Sequence, residues 1–197
     1  MKIIPTILEQ RQSEAEARIA RVKDRSRWMQ VDVIDGIYSR TKTFELELLK
    51  RMENCERALW DIHLMVKEPI KWVEKCVFVD ASRVIGQVEM MSDREEFVAK
   101  VKDLGMEVGL AFELETEIDK IPDETDLVLL MGRKSGFESR NLDEGIYKRI
   151  AKVKELGFKV GVDGGATTDN LDKLEEAKVD IVYSGNQFEK IDDEKNE

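Results

Sequence analysis

Three residues in this sequence have the types that proton-transfer or metal chemistry needs, and each sits at the end of an apolar run. Asp32 lies in WMQVDVIDG, His63 in DIHLMV and Asp163 in VGVDGG. A carboxylate inside an apolar segment is costly unless it is paired, protonated or bound to a cation. His63 is the single histidine of the chain. Two carboxylates and one imidazole are a reasonable donor set for a divalent metal ion. Gln30 stands two residues before Asp32, so on a strand both point to the same face. A second group of residues suits an anion. Asp163-Gly164-Gly165 and Ser184-Gly185-Asn186 each follow an apolar run, where glycine lets backbone N–H groups approach a phosphate closely.

Something must hold these residues together, and the apolar runs indicate what. They are Ile3–Leu8, Trp28–Ile34, Ala58–Val66, Arg83–Val88, Glu107–Phe112, Asp126–Met131, Lys159–Val162 and Asp180–Tyr183. Each is short and rich in Val, Ile or Leu, as strands buried on both faces are. Amphipathic stretches separate them: 14–24, 44–52, 70–77, 93–104, 143–156 and 168–177. Ser92-Asp93-Arg94-Glu95 reads as a capping box, and Thr168 or Asp169 as a helix cap. Gly105 and Gly157 follow leucines where helices should end. Strict alternation of strand and helix implies a parallel sheet. Eight units favour a closed (β/α)8 TIM barrel over a doubly wound open sheet. We expect one compact barrel domain over residues 1–191, with trimmed helices after strands five and eight, and a polar tail over 192–197 that frays.

Composition narrows the partners. The chain has 197 residues, is 42% hydrophobic and 38% charged, and carries a formal net charge of −10. That charge opposes non-specific binding to nucleic acid or to an anionic membrane, because both need a positive field. No apolar run reaches the roughly 18–20 residues of a membrane span. MKIIPTILEQ turns polar too early for a secretory leader. Cys55 and Cys76 form no CxxC pair and read as reduced thiols of a cytoplasmic protein.

The motifs resemble those of the ribulose-phosphate 3-epimerase family, within the ribulose-phosphate-binding barrel superfamily, from Ile3 to about Phe188. IPTIL resembles the family's PSIL, WMQVDVIDG its LHVDVMDG, and VGLAFELET its VGLAINPGT. LLMGRKSGFESR resembles LLMTVNPGFGGQ, and VGVDGG with YSGN resembles VDGGI with AGS. DIHLMVKEP against DVHLMVENP is the most specific match.

The resemblance implies metal-assisted, two-base epimerisation of a phosphorylated ketose of the D-ribulose 5-phosphate / D-xylulose 5-phosphate type. It makes Asp32 and Asp163 the acid/base pair. It makes His63, with Asp32, Asp163 and the replaced position Gln30, the holder of a divalent metal ion (Zn, Fe, Mn or Mg). Met65 and Met131 match methionines near the intermediate, and Thr6 a serine that touches substrate. Gly136, Gly164, Gly165, Gly185 and Asn186 would hold the phosphate. Family members often form dimers or larger assemblies, so a homo-oligomer is a further expectation.

The sequence departs from the pattern at several points. Gln30 and Gln87 stand where the family has histidines, and an amide oxygen is a poorer ligand for zinc or iron. Ile37 replaces the histidine after DG, and Glu138 and Ser139 interrupt a glycine loop. Arg133, Lys134 and Arg140 could offset the added carboxylate or form a solvated basic loop. Three readings stay open: an epimerase with a different metal, an enzyme for another sugar phosphate, and a non-catalytic barrel that binds a phosphorylated ligand.

Overall fold

The computed structural model describes residues 1–53, 57–133 and 141–196. Eight parallel strands close into a barrel in chain order: β1 (Lys2–Ile7), β2 (Trp28–Ile34), β3 (Leu59–Met65), β4 (Ala81–Gln87), β5 (Glu107–Phe112), β6 (Leu127–Met131), β7 (Val160–Asp163) and β8 (Ile181–Ser184). β8 pairs with β1 through Lys2↔Ile181 to Pro5↔Ser184, which completes the ring. The apolar runs became strands because each can be buried on both sides. One set of side chains fills the barrel, including Ile4, Ile85, Leu129 and Tyr183. The alternate set, such as Ile7, Val31, Ile62 and Val128, packs outward against the helices.

The helical cover is α1 (Gln12–Val22), α2 (Val73–Phe78), α3 (Arg94–Asp103), α4 (Ile146–Glu155), α5 (Thr168–Glu176) and α6 (Phe188–Asn196). Gly105 and Gly157 take left-handed φ of 79° and 87° just past α3 and α4, as expected of helix ends. Some local readings need correction. Asp93, not Ser92, caps α3 by accepting from the Glu96 N–H at 2.9 Å. Thr167, not Thr168 or Asp169, caps α5, in a capping box with Asn170. The helix expected over 44–52 is a 3₁₀ turn, Leu46–Arg51. Its buried residues Leu46 and Leu49 are three apart, the spacing that a 3₁₀ turn aligns on one side. The stretch 70–77 divides into a 3₁₀ turn, Pro69–Trp72, followed by α2.

Between β5 and β6 the described chain has no helix, so the cover is trimmed there as expected. Backbone carbonyls that a helix would have satisfied are met instead from α4. Arg149 donates to the carbonyls of Thr116 and Glu113, both at 2.8 Å. At the other trimmed position, α6 covers nine residues and runs through 192–196, which the sequence assigned to a fraying tail. Arg25 from the end of α1 pairs with Asp192 at 3.3 Å and with Asp193, tying this helix to the barrel. No helix among the described residues is long and apolar enough to cross a membrane. Cys76 is a buried free thiol, and Cys55 lies outside the described residues.

Candidate active site

Strand register brings the first three candidates together. Asp32 of β2 is in register with His63 of β3, and Asp163 ends β7 opposite Met131 of β6. All three point into the barrel at the C-terminal ends of their strands, where such barrels concentrate function. Gln30, one inward step below Asp32, is fully buried. Its Nε2 donates to Asp32 Oδ1 at 3.0 Å and to Asp163 Oδ2 at 2.7 Å. One amide therefore clamps two carboxylates from strands that β1 and β8 separate in the ring. The resemblance made Gln30 a metal position, but here it turns its donor toward the carboxylates. Its oxygen is buried without a hydrogen-bond partner.

His63 is fully buried, and its two nitrogens have different surroundings. Nε2 meets Gln87 Oε1 at 3.0 Å. The Gln87 amide nitrogen donates to Glu89 Oε2 at 2.7 Å, which leaves its oxygen to accept from His63. Nε2 thus carries a proton in either ring charge state. Nδ1 has no hydrogen bond, yet it lies 3.3 Å from Asp32 Oδ1 and 3.8 Å from Asp163 Oδ2. Burial alone would lower the histidine pKa, but Asp163 and Asp32 outweigh it and hold His63 up to about 10. Burial is the main reason that Asp32 rises to about 6, and the charge of Asp163 adds to it.

These residues fit a divalent cation. One atom from each of Asp32, His63 and Asp163 lies within 4.8 Å of the others. Nδ1 is a buried nitrogen without a hydrogen bond, facing two carboxylates. Mixed imidazole and carboxylate donors suit zinc, iron or manganese.

Two cavities meet over the pair. One, of about 320 Å³, is lined by Thr6, Gly164, Gly165, Gly185 and Asn186. The other, of about 420 Å³, is lined by Met65, Met131, Tyr38 and Thr41. Asp32 and Asp163 line both. The structure therefore gathers Thr6, Gly164, Gly165, Gly185 and Asn186 in one cavity beside Asp32 and Asp163, and both methionines in the other. Gly164 and Gly165 adopt left-handed φ of 90° and 82°, and a Cβ on Gly165 would come within 2.7 Å of the Leu142 backbone. Only glycine fits there, and the turn leads into the N-terminus of α5. The Thr6 hydroxyl is buried without a hydrogen-bond partner. Gly136, Lys134, Glu138, Ser139 and Arg140 lie outside the described residues.

Two participants escaped the sequence reading. Arg18 is 4% exposed and lines the glycine-rich cavity, where it donates to the Gly185 carbonyl at 2.8 Å and pairs with Glu189. The stretch 14–24 reads as amphipathic, and its buried set in α1 is Ala15, Arg18, Ile19 and Val22. Their helical spacing was the available signal, hidden because one member is charged. The link of Glu89 to His63 through Gln87 is purely tertiary.

Comparison with known proteins agrees with this architecture. The profile of the ribulose-phosphate 3 epimerase family matches residues 2–188. A ribulose-phosphate 3-epimerase of Helicobacter pylori is 26% identical over 204 aligned positions, covering 99% of this chain and 94% of that protein. One of Schizosaccharomyces pombe is 27% identical over 193, covering 93% and 85%. Among solved structures, a mutant tryptophan synthase alpha-subunit of Pyrococcus furiosus superposes with a TM-score of 0.74 at 11% identity. It covers 100% of this chain and 96% of that one, a likeness of fold alone.

Proposed function

This chain belongs to the ribulose-phosphate 3-epimerase family, and on that premise we propose that it epimerises a phosphorylated ketose of the ribulose 5-phosphate type. The observation that carries this reading is the Gln30 amide bound at once to Asp32 and Asp163, at 3.0 and 2.7 Å. It fixes two carboxylates from non-adjacent strands, β2 and β7, beside a single reaction volume.

Epimerisation next to a carbonyl requires a proton to leave one face of a carbon and another to arrive on the opposite face. Asp32 and Asp163 supply those two positions. Asp32, lifted to about 6, remains mostly ionised near neutral pH yet is a stronger base than an ordinary carboxylate. It removes the proton as the ionised member of the pair, and Asp163, entering the step protonated, delivers its proton to the other face. In the reverse direction the roles exchange. Asp32, His63 and Asp163 would hold a divalent cation, which supplies Lewis-acid polarisation of the substrate oxygen when bound. Gln30 keeps the two carboxylates at a constant separation during proton transfer. Gln87, steadied by Glu89, holds the His63 ring with Nδ1 toward the carboxylates. Backbone N–H groups of Gly164, Gly165, Gly185 and Asn186, with the α5 N-terminus, bind the phosphate. The Thr6 hydroxyl offers a substrate contact, and Met65 and Met131 close the apolar side against water. A cytoplasmic location belongs to the same reading.

Incubation with ribulose 5-phosphate in deuterated water, with divalent metal supplied, tests the proposal. Deuterium should enter at the third carbon, and xylulose 5-phosphate should appear. An absence of exchange with zinc, iron, manganese and magnesium alike would sink it.

A further inference from the structure

The glycine-rich cavity presents an electrostatic problem for the ligand proposed for it. Glu9, Asp32 and Asp163 line its wall, so a phosphate dianion entering it meets three carboxylates. Neutral backbone N–H groups alone offset that repulsion poorly. Two arginines line the same cavity, Arg18 and Arg133. Arg18 is already engaged, by Glu189 and by the Gly185 carbonyl. Arg133 is exposed and has no hydrogen bond or ion pair among the described residues. It also lines the second cavity, so it stands at the boundary between the two.

Its backbone is held in place although its head group is unengaged. Gly132 N–H donates to the Asp163 carbonyl at 2.6 Å, and the Gly132 carbonyl accepts from the Asp143 N–H at 2.8 Å. A Cβ on Gly132 would overlap the Gly164 carbonyl oxygen, so the two loops touch through backbone and residue 132 has to be glycine. On the other side the Arg133 stem lies over Gly164, where an added Cβ would meet its Cγ at 3.1 Å and its Nε at 3.2 Å. Two glycines therefore bring a guanidinium against the Gly164-Gly165 turn that lines the cavity. A side chain with five donors in a planar fork suits a phosphate monoester, and that of Arg18 is already engaged.

We infer that Arg133 is the side chain that recognises the substrate's phosphate, supplying the positive charge that the glycine turn lacks. This rests on the phosphate reading of that cavity. It makes Arg133 a specificity-determining residue, selecting ligands with a dianionic end over neutral sugars of the same length.

The test is a calorimetric titration of the intact protein with inorganic phosphate, comparing wild type, Arg133→Gln and Arg133→Lys. Loss of one charge-assisted contact should weaken phosphate binding about tenfold to a hundredfold in Arg133→Gln. Arg133→Lys keeps the charge without the fork and should lose less. In the exchange assay, Arg133→Gln should raise KM for ribulose 5-phosphate much more than it lowers kcat. Thermal melting of both variants should match wild type, since the residue is exposed. Unchanged phosphate affinity in Arg133→Gln would overturn the assignment and leave the glycine cradle standing. A wild-type protein that binds no phosphate would overturn the cradle and Arg133 together. A fall in kcat with unchanged KM would also overturn the inference, by moving Arg133 to the proton-transfer step.

Discussion

Inside this barrel there are two polar clusters, one at each end of the same strands. The lower one joins Asp61 of β3, Arg83 of β4, Glu107 of β5 and Tyr183 of β8. Arg83 donates to Asp61 at 2.7 Å and to Glu107 at 2.9 Å, and Tyr183 donates to Asp61 at 2.6 Å. Lys2 and Arg83 both stack on the Trp28 ring, 4.5 and 4.7 Å from its centroid. A Cβ on Gly161 would crowd the Tyr183 ring at 3.1 Å, so that glycine makes room for the phenol. The upper cluster begins only two residues further along β3, at His63. It holds two carboxylates and a histidine with no arginine or lysine bonded to them among the described residues, and it opens into two cavities.

Asp61 and Arg83 below are buried as fully as Asp32 and His63 above, but the compensation is very different. Below, each carboxylate has a guanidinium partner, although Asp61 Oδ1 itself has no hydrogen bond. Above, Asp32 and Asp163 share a neutral amide and a histidine. Uncompensated polar groups reduce stability, and a fold retains them where a ligand completes the set. The contrast supports the proposal that places the reaction at the upper end.

The largest effect should come from removing a carboxylate above. Asp32→Asn or Asp163→Asn should lower kcat for deuterium exchange about 10²–10⁴-fold, the usual worth of a positioned acid or base. Thermal melting should change only modestly, because the substitution relieves a buried like-charge pair while it removes one of the two carboxylates that hold the proton on His63. A variant that keeps full exchange would remove that residue from the acid/base pair.

The opposite pattern is expected below. Arg83→Met leaves Asp61 buried without its cation and should cost about 3–5 kcal/mol in denaturant unfolding. Protein that remains folded should keep its turnover. If unfolding is unchanged and catalysis is lost, the assignment of the two ends is reversed.

A smaller effect sharpens how the upper cluster is supported. Gln87→Leu releases His63 Nε2 and should weaken divalent-metal affinity about tenfold to a hundredfold, read by competition with a chelating dye. The pH dependence is the mildest expectation. In the metal-free protein His63 is held up to about 10, so at neutral pH a cation must displace its proton. Affinity should therefore rise with pH, by up to about tenfold per unit below pH 10. Below about pH 6 a second proton, on Asp32, steepens the dependence. Proton release measured by calorimetry in two buffers of different ionisation enthalpy checks the sign. Affinity independent of pH between 7 and 9 would argue against a protonated His63.

The sequence by itself determined the eight strands, because a run of Val, Ile and Leu with no polar face can only be buried on both sides. It determined that the cover after β5 is trimmed, since the connection over 114–125 is short. It also determined that Asp32, His63 and Asp163 end strands, which places them at one mouth of any parallel barrel. Periodicity within a segment encodes all of this. What only the tertiary structure decided depends on contacts between segments far apart in the chain. Gln30 clamps a carboxylate 133 residues away. Gln87 orients His63 from the neighbouring strand, and Arg18 turns inward because Glu189 and the Gly185 carbonyl await it. The same cause separates Asp61 from Asp32. Both are aspartates in apolar strands and look alike as sequence, yet one faces an arginine and the other faces a cavity. Closure of the ring, which sets each strand's partner, made one a structural ion pair and the other half of the proposed acid/base pair.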